Sequence, residues 1–154
     1  MTLQDSPPLL PPAVVIDTNV LLDWLVFREA GCMPLVEALE AGRLRWIATT
    51  PMREELGFAL NRRMVRSWSP DLALVDSTWS RLAAMVQAPA PTLVPRLRCT
   101  DPDDQMFIDL ALHQARWLIT RDRAVLKLAR RAAALGVTFT TPERWHAAQT
   151  DAAA

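Results

Sequence analysis

The sequence predicts an α/β protein with a central, mainly parallel sheet of about five strands and helices on both of its faces. Short apolar runs alternate along the chain with longer segments of helical periodicity, an alternation that is typical of parallel sheets. The chain has 154 residues, of which 51% are apolar, enough for one domain with its own core. We therefore expect a single domain over residues 13–150, preceded by a proline-rich, flexible segment at residues 1–12.

Five short apolar runs are the strand candidates. The first, Ala13–Ile16, is partly β-branched and ends directly at Asp17. The other candidates are residues 45–48, 92–94, 117–120 and 137–139. Because strands covered by helices on both sides are apolar throughout, we expect these runs to form the middle layer of the protein.

Helices are predicted between the strands, and capping residues, prolines or glycines mark their ends. The predicted helices begin near Val20, Pro34, Thr50, Ser69, Asp101, Arg123 and Pro142. Thr50, Ser69 and Asp101 are each followed by proline, a pattern that favours an N-cap and a proline in the first turn. Gly42 and Gly136 are expected to end helices. The helix from Ser69 is expected to run to about residue 87.

Two acidic residues follow predicted strands. Asp17 comes directly after the first strand, and Asp122 comes two residues after Thr120, at the end of the fourth. In an open parallel sheet, binding sites form in the crevice beyond the carboxyl ends of the strands. Either carboxylate alone could be a solvated strand end, but together they indicate a site at this edge.

The helix that begins at Thr50 supplies a third candidate. Its buried stripe is predicted to consist of Met52, Leu56, Ala59 and Leu60. Glu55 borders this stripe, whereas Glu54 points toward solvent. Arg62 and Arg66 are expected on the same helix face as Glu55, at i+7 and i+11. Ordinary surface charge would also account for this pattern.

The helix after Asp101 supplies the fourth candidate. Asp101, Asp103 and Asp104 occupy its N-cap and first turn, where carboxylates are favoured by the free N–H groups and the helix dipole. Capping alone could therefore explain all three. Asp104 differs because the apolar residues Ile108 and Ala111 follow it on one helix face, so that it begins a buried stripe.

Four converging carboxylates would repel one another and would require a cation. Ligation by oxygen alone favours Mg²⁺ or Mn²⁺ over Zn²⁺. The two histidines, His113 and His146, stand alone in the sequence, and the two cysteines, Cys32 and Cys99, lack the spacing of a metal site. We expect both cysteines to be reduced, partly buried thiols.

The formal net charge is zero, which argues against a protein that binds nucleic acid by bulk positive charge. An enzyme that cleaves nucleic acid is still compatible with this balance, because clustered acids can offset a basic rim. No apolar run approaches the ~20 residues of a spanning helix, and the N-terminus does not resemble a signal peptide. We therefore expect a cytoplasmic protein without a membrane partner.

Taken in order, these motifs resemble those of the PIN domain family. The similar stretches are residues 15–21 (VIDTNVL), 55–56 (EL), 101–108 (DPDDQMFI), 119–122 (ITRD) and 139–142 (FTTP). They span about residues 13–148 and look most like the bacterial VapC-like toxins of toxin–antitoxin modules. The resemblance implies a PIN-like three-layer α/β/α fold, a metal-dependent endoribonuclease, a homodimer and a cognate antitoxin.

The resemblance also implies roles for individual residues. The acidic quartet would be Asp17, Glu55, Asp104 and Asp122. In the mechanism that we expect, Asp17 and Asp104 ligate the metal directly, and Asp122 and Glu55 complete the shell or hold bound waters. Thr18, Asn19 and Thr120 would support them, with Asp101 and Asp103 as further candidates. Arg62, Arg66 and Arg121 could contact the RNA substrate. Arg121 departs from the family pattern, in which a small or variable residue precedes the last aspartate.

Three alternatives compete with this interpretation. A haloacid-dehalogenase-type phosphatase also places a nucleophilic aspartate after its first strand, but it requires a second aspartate where this chain has Asn19. A dinucleotide-binding protein is excluded because no G-x-G-x-x-G follows the first strand. A catalytically silent PIN-like module that binds RNA or protein would usually lack one of the acids, and all four are present.

Overall fold

The computed structural model describes residues 10–90 and 97–153, which contain a five-stranded sheet of order β3-β2-β1-β4-β5. The strands are β1 (Ala13–Ile16), β2 (Arg45–Ala48), β3 (Ala83–Met85), β4 (Trp117–Ile119) and β5 (Thr138–Thr140). All neighbouring pairs run parallel, and β1 is buried along its whole length at the centre. The predicted α/β fold with a parallel sheet between helices is confirmed.

The described residues form nine α-helices and two short 3₁₀ helices. The α-helices are α1 (Thr18–Leu25), α2 (Met33–Glu40), α3 (Thr50–Leu60), α4 (Arg63–Arg66), α5 (Leu72–Leu82), α6 (Gln105–Gln114), α7 (Arg123–Leu126), α8 (Ala129–Ala134) and α9 (Pro142–Ala153). The 3₁₀ helices are Ala30–Cys32 and Pro102–Asp104. Within these ranges no helix is long and apolar enough to cross a membrane.

Tryptophan side chains connect the helices to the sheet. Trp46 on β2 is 1% exposed and contacts Trp24 of α1 and Trp79 of α5, with ring centroids 5.7 and 4.9 Å apart. Trp117 on β4 contacts Trp145 of α9 at 6.3 Å. Buried aromatic rings cover a large apolar area in tilted or edge-to-face contacts, and these contacts therefore fix α1, α5 and α9 against the strands.

The third strand is not where the sequence predicted it. Residues 92–94 lie outside the described residues, and β3 is instead formed by Ala83–Met85, inside the helix that was predicted to run to about residue 87. The helix α5 ends at Leu82, and the next three residues pair with Trp46–Ala48 of β2. Alanine favours helices, so only the pairing with β2 makes this segment extended.

Two predicted helix starts are wrong by one or two residues. Thr49 rather than Thr50 stands at the N-cap of α3. Asp71 rather than Ser69 caps α5, and its carboxylate accepts a hydrogen bond of 3.0 Å from the backbone N of Leu74. Aspartate and serine are comparable N-cap residues, but only Asp71 has the extended backbone of an N-cap, whereas Ser69 has a positive φ of 49°.

The helix predicted between β4 and β5 is interrupted. The helix α7 ends at Leu126, and α8 begins at Ala129. The predicted stops at Gly42 and Gly136 are confirmed, because both glycines follow helix ends with positive φ angles of 73° and 87°. Glycine adopts this left-handed conformation without the steric cost that a Cβ atom would add.

Arg121, in the turn between β4 and α7, joins three parts of the fold. Its Nε donates to Oδ2 of Asp23 on α1 at 2.7 Å, and its terminal nitrogens donate to both carboxylate oxygens of Glu143 on α9 at 2.8 and 2.6 Å. Glu143 in turn lies against Gly31, where an added Cβ atom would overlap its carboxylate. The Arg121 guanidinium therefore acts as a clamp between α1, β4 and α9.

Gly31→Ala is expected to open this clamp. The new methyl group must displace the Glu143 carboxylate, so the free energy of unfolding should fall by about 1 kcal/mol, a modest amount because Glu143 is half exposed. The matched control is Gly57→Ala in α3, where the added methyl meets nothing closer than 3.9 Å. There the better helix propensity of alanine should raise stability by about 0.5–1 kcal/mol.

Denaturant unfolding of both variants and of Gly31→Ala combined with Glu143→Ala provides the measurement. If the clamp explains the loss, the Gly31 change should cost little once the Glu143 carboxylate has been removed. Equal losses from Gly31→Ala in the presence and absence of Glu143 would contradict the explanation.

Candidate metal centre

The predicted acids meet where the order of the strands reverses. The chain proceeds from β1 to β2 and β3 on one side, and β4 and β5 lie on the other, so that a crevice forms between the carboxyl ends of β1 and β4. Asp17 directly follows β1, and its backbone N donates to the carbonyl of Ile119 at the end of β4 (2.9 Å). Asp122 lies three residues after Ile119 and is the N-cap residue of α7.

Asp17 is held in one orientation by Thr120. The Thr120 hydroxyl donates to Oδ2 of Asp17 at 2.7 Å and accepts a hydrogen bond of 3.0 Å from the backbone N of Asp122. Asp17 is 4% exposed, and burial raises its pKa to about 6, although the Thr120 hydrogen bond opposes the shift. Thr120 therefore links the two aspartates that end neighbouring strands.

Asp104 is a buried carboxyl at the end of the 3₁₀ helix that precedes α6. It is 9% exposed, and its Oδ2 atom is buried without a hydrogen-bond partner among the described residues. Burial, followed by the charge of Asp17 and by both the hydrogen bond and the charge of Asp122, raises its pKa to about 8. A buried oxygen without a donor is unfavourable unless a proton or a cation occupies it.

Asp101, Asp104 and Asp122 form the closest group of carboxylates among the described residues. Each offers an oxygen, and these oxygens all lie within 4.8 Å of one another. In Asp101 and Asp122 the Oδ1 atom caps a backbone N, that of Asp103 (3.0 Å) and Ala124 (2.8 Å), so the Oδ2 atom of each is not used in capping. Three converging carboxylates fit a hard divalent cation, which prefers oxygen ligands.

Glu55 lies beside this group and not within it. Its Oε2 accepts a hydrogen bond from the Thr18 hydroxyl, and its charge contributes to the raised pKa of Asp17. Glu55 is half-buried on α3, whereas Glu54 is exposed, as the helical pattern predicted. The four predicted acids therefore share one region, but only Asp104 and Asp122 belong to the closest group, in which Asp101 is the third member.

The predicted arginines have different surroundings. The helix α3 ends at Leu60, so the expected helix face shared by Glu55, Arg62 and Arg66 does not exist. Arg62 nevertheless reaches Glu55, with its Nη2 3.8 Å from Oε1. Arg66 is exposed on α4, whereas Arg121 is already held by the clamp with Asp23 and Glu143.

The predicted supporting residues also differ in their surroundings, since some are buried beside the acids and others are exposed. Thr18 and Thr120 are buried and orient Glu55 and Asp17, while Asn19 is exposed at the second position of α1. Asp103 is also exposed, and only its backbone N contacts Asp101.

Sequence reasoning missed Gln105, which fixes the segment that carries Asp101 and Asp104. Its Oε1 accepts from the backbone N of Cys99 at 2.8 Å, and its Nε2 donates to the carbonyl of Leu97 at 2.7 Å and to Oδ1 of Asp109 at 2.8 Å. A glutamine at a helix start carries no pattern that reveals such partners, because they come from the preceding loop. The side chain joins this loop to α6 and so fixes the position of the acids between them.

Comparison with known protein families agrees with this geometry. A family model described as a PIN domain matches residues 13–124, well over half of the chain and including all the acids of the site. None of the curated proteins matches the chain.

The raised pKa values predict that the metal-free protein loses stability as the pH rises. Between about pH 4 and pH 6 for Asp17, and between about pH 4 and pH 8 for Asp104, the carboxyl group keeps a proton in the folded state that it has released in the unfolded state. Each carboxyl therefore lowers the free energy of unfolding by up to about 1.4 kcal/mol per pH unit within its interval.

Denaturant unfolding in chelator across this pH range measures the effect. Asp104→Asn should flatten the decline between pH 6 and 8, because the amide does not titrate, and Asp103→Asn, at an exposed neighbour, should leave the decline unchanged. A wild-type stability that is level or rises over that interval, relative to Asp104→Asn, would contradict the raised pKa of Asp104.

Proposed function

Because the chain belongs to the PIN domain family, we propose that it is an endoribonuclease that hydrolyses RNA phosphodiester bonds with Mg²⁺ or Mn²⁺. The observation that supports this most is the group of Asp101, Asp104 and Asp122 at the switch point of the sheet. Asp17 and Glu55 lie in the same region, and no predicted acid is missing. This full set favours an enzyme over a silent module that only binds RNA or protein.

Asp104 and Asp122 are the proposed direct ligands, with Asp101 as the third. The Asp104 Oδ2 atom lacks a partner among the described residues, and Asp101 and Asp122 each keep one oxygen beside their capping oxygen. When bound, a divalent cation lowers the pKa of a coordinated water and stabilises charge on the phosphate. Asp17, oriented by Thr120, and Glu55, oriented by Thr18, would complete the site and position water.

Arg62 is the proposed contact for a substrate phosphate nearest to the site. Its guanidinium lies 3.8 Å from Glu55 and is more than half exposed, so it can exchange this weak ion pair for a phosphate. Arg66 would extend the contact along α4. Arg121 is not proposed as an RNA contact, because the carboxylates of Asp23 and Glu143 occupy its donors.

The finer proposal is that this ribonuclease is the toxin of a toxin–antitoxin module, works as a homodimer and is masked by a cognate antitoxin. The support is the PIN domain match together with the resemblance of residues 15–21 and 101–108 to VapC-like toxins. The test is induced expression of the chain in a bacterial host. Growth arrest by the wild type but not by Asp104→Asn, relieved by the protein of the adjacent reading frame, is expected.

Asp104→Asn should abolish metal-dependent RNA cleavage. The amide keeps the shape of the side chain but removes a negative ligand, so the rate should fall by more than about 100-fold. Asp103→Asn is the matched control, since it makes the same change on the same turn at an exposed position outside the carboxylate group. Cleavage of RNA in Mg²⁺, with circular dichroism to verify folding, is the measurement. Equal activities of the two variants would refute the proposed ligand set.

Glu55→Gln and Glu54→Gln provide a second matched pair. Glu55 is half-buried, bonded to Thr18 and close enough to influence Asp17, while Glu54 is exposed on the same helix. Glu55→Gln should therefore reduce cleavage by about tenfold or more, in the range expected for groups that orient a metal site. Glu54→Gln should have the wild-type rate. The reverse order would show that the wrong face of α3 has been assigned to the site.

A further inference from the structure

The short helix α4 and the residues around it form an exposed surface, of which the proposed function so far uses only Arg62 and Arg66. We define the arginine–tryptophan surface as Arg62, Arg63, Met64, Arg66 and Trp68. Val65 is 5% exposed and anchors α4 to the core, while Met64 and Trp68 are 76% and 59% exposed. Exposed apolar side chains rimmed by charged residues are typical of interaction sites when they form a contiguous patch.

The charge of this surface contrasts with that of the whole chain. Acidic and basic residues are equal in number overall, yet residues 56–70 contain three arginines and no acid. Among the described residues, Arg63 and Arg66 form no ion pair, and Arg62 pairs with Glu55 at the edge of the carboxylate site. The surface is therefore positive and continues directly to the acids.

Trp68 is held in place by its surroundings. It contacts Phe27 edge to face, with ring centroids 5.0 Å apart, and remains more than half exposed. Arg28 and Ser69, the residues that follow the two rings, have positive φ angles of 54° and 49°. Such angles are uncommon outside glycine and persist where the surrounding structure requires them, so the backbone beside each ring has a restricted conformation.

We propose that the arginine–tryptophan surface binds single-stranded RNA and leads it to the carboxylate site, an inference that rests on the proposed ribonuclease function. Arginines beside an exposed aromatic ring suit a strand whose phosphates pair with guanidinium groups and whose bases stack on the ring. Only unpaired bases can stack in this way, so the surface selects single strands over duplexes. Arg62 connects the two regions through its contact with Glu55.

A protein segment is the other class of partner for such a surface. It would use the apolar area of Met64 and Trp68, and it would not require an aromatic ring at position 68. RNA is favoured because the surface is basic throughout and adjoins acids that are proposed to cleave phosphodiesters. RNA requires an aromatic ring at position 68, whereas a protein segment requires only an apolar side chain, and the test uses this difference.

The test measures the affinity of the full chain for a labelled single-stranded RNA by fluorescence anisotropy in chelator, with intact RNA verified on a gel. Trp68→Leu keeps the apolar character but removes stacking and should weaken binding about tenfold, whereas Trp68→Phe should retain most of the affinity. An RNA duplex should bind weakly to all three proteins. Wild-type affinity in Trp68→Leu would overturn the proposal.

The arginines are tested by the salt dependence of the same binding. If Arg63 and Arg66 bind phosphates, replacing both with alanine should reduce the slope of log affinity against log salt by about 0.7 for each phosphate that they neutralise. The matched control is Arg130→Ala with Arg131→Ala, two exposed arginines on α8, which should leave the slope unchanged. An unchanged slope in the Arg63 and Arg66 variant would refute the phosphate contacts, and weaker self-association with unchanged RNA affinity would identify a protein interface instead.

The experiments distinguish a failure of the RNA surface from a failure of the proposed ribonuclease function. Binding that depends on Trp68 without any cleavage in Mg²⁺ would refute the ribonuclease and retain the RNA surface. Cleavage that is lost in Asp104→Asn but is insensitive to Trp68→Leu, with unchanged RNA affinity, would refute the surface and retain the ribonuclease.

Discussion

The repulsion between buried carboxylates is the constraint on which the site depends. Asp17 and Asp104 are each no more than about a tenth exposed, and the charge of Asp17 is one reason why the pKa of Asp104 rises to about 8. Like charges this close are tolerated only where protons or cations compensate them. The fold holds them together through neutral or backbone partners, since the Thr120 hydroxyl orients Asp17 and Gln105 fixes the segment before α6. A bound proton or cation must therefore compensate the negative charge.

The sheet topology decides which acids can meet. Strands β1 and β4 are neighbours although about a hundred residues separate them, so that Asp17 and Asp122 are close only because the order of the strands reverses there. Asp104 reaches the same point from the start of α6, which packs on β1 and β4. The carboxylates consequently converge only when β1, β4 and α6 have come together, which couples the cost of their repulsion to the stability of the fold.

Local patterns in the sequence correctly predicted the features that depend on residues close together in the chain. The apolar runs predicted β1 and β4, and helical periodicity separated half-buried Glu55 from exposed Glu54. Features that depend on distant partners were missed or misplaced. Ala83–Met85 becomes a strand only by pairing with β2, and Arg121 is occupied because Asp23 and Glu143 lie beside it in the fold. Neither partner is recognisable without the three-dimensional structure, because composition and periodicity do not encode contacts between distant segments.

The net charge of zero does not describe the local electrostatic field around the carboxylate site. Three aspartates with oxygens within 4.8 Å of one another carry more negative charge than one divalent cation removes, and Asp17 and Glu55 add to it. A phosphodiester would be repelled from such a site unless positive charge lay close by. Arg62, 3.8 Å from Glu55, and the exposed Arg63 and Arg66 supply positive charge on the α4 side of the site. This charge favours the approach of a polyanion from α4, as the proposed RNA surface requires.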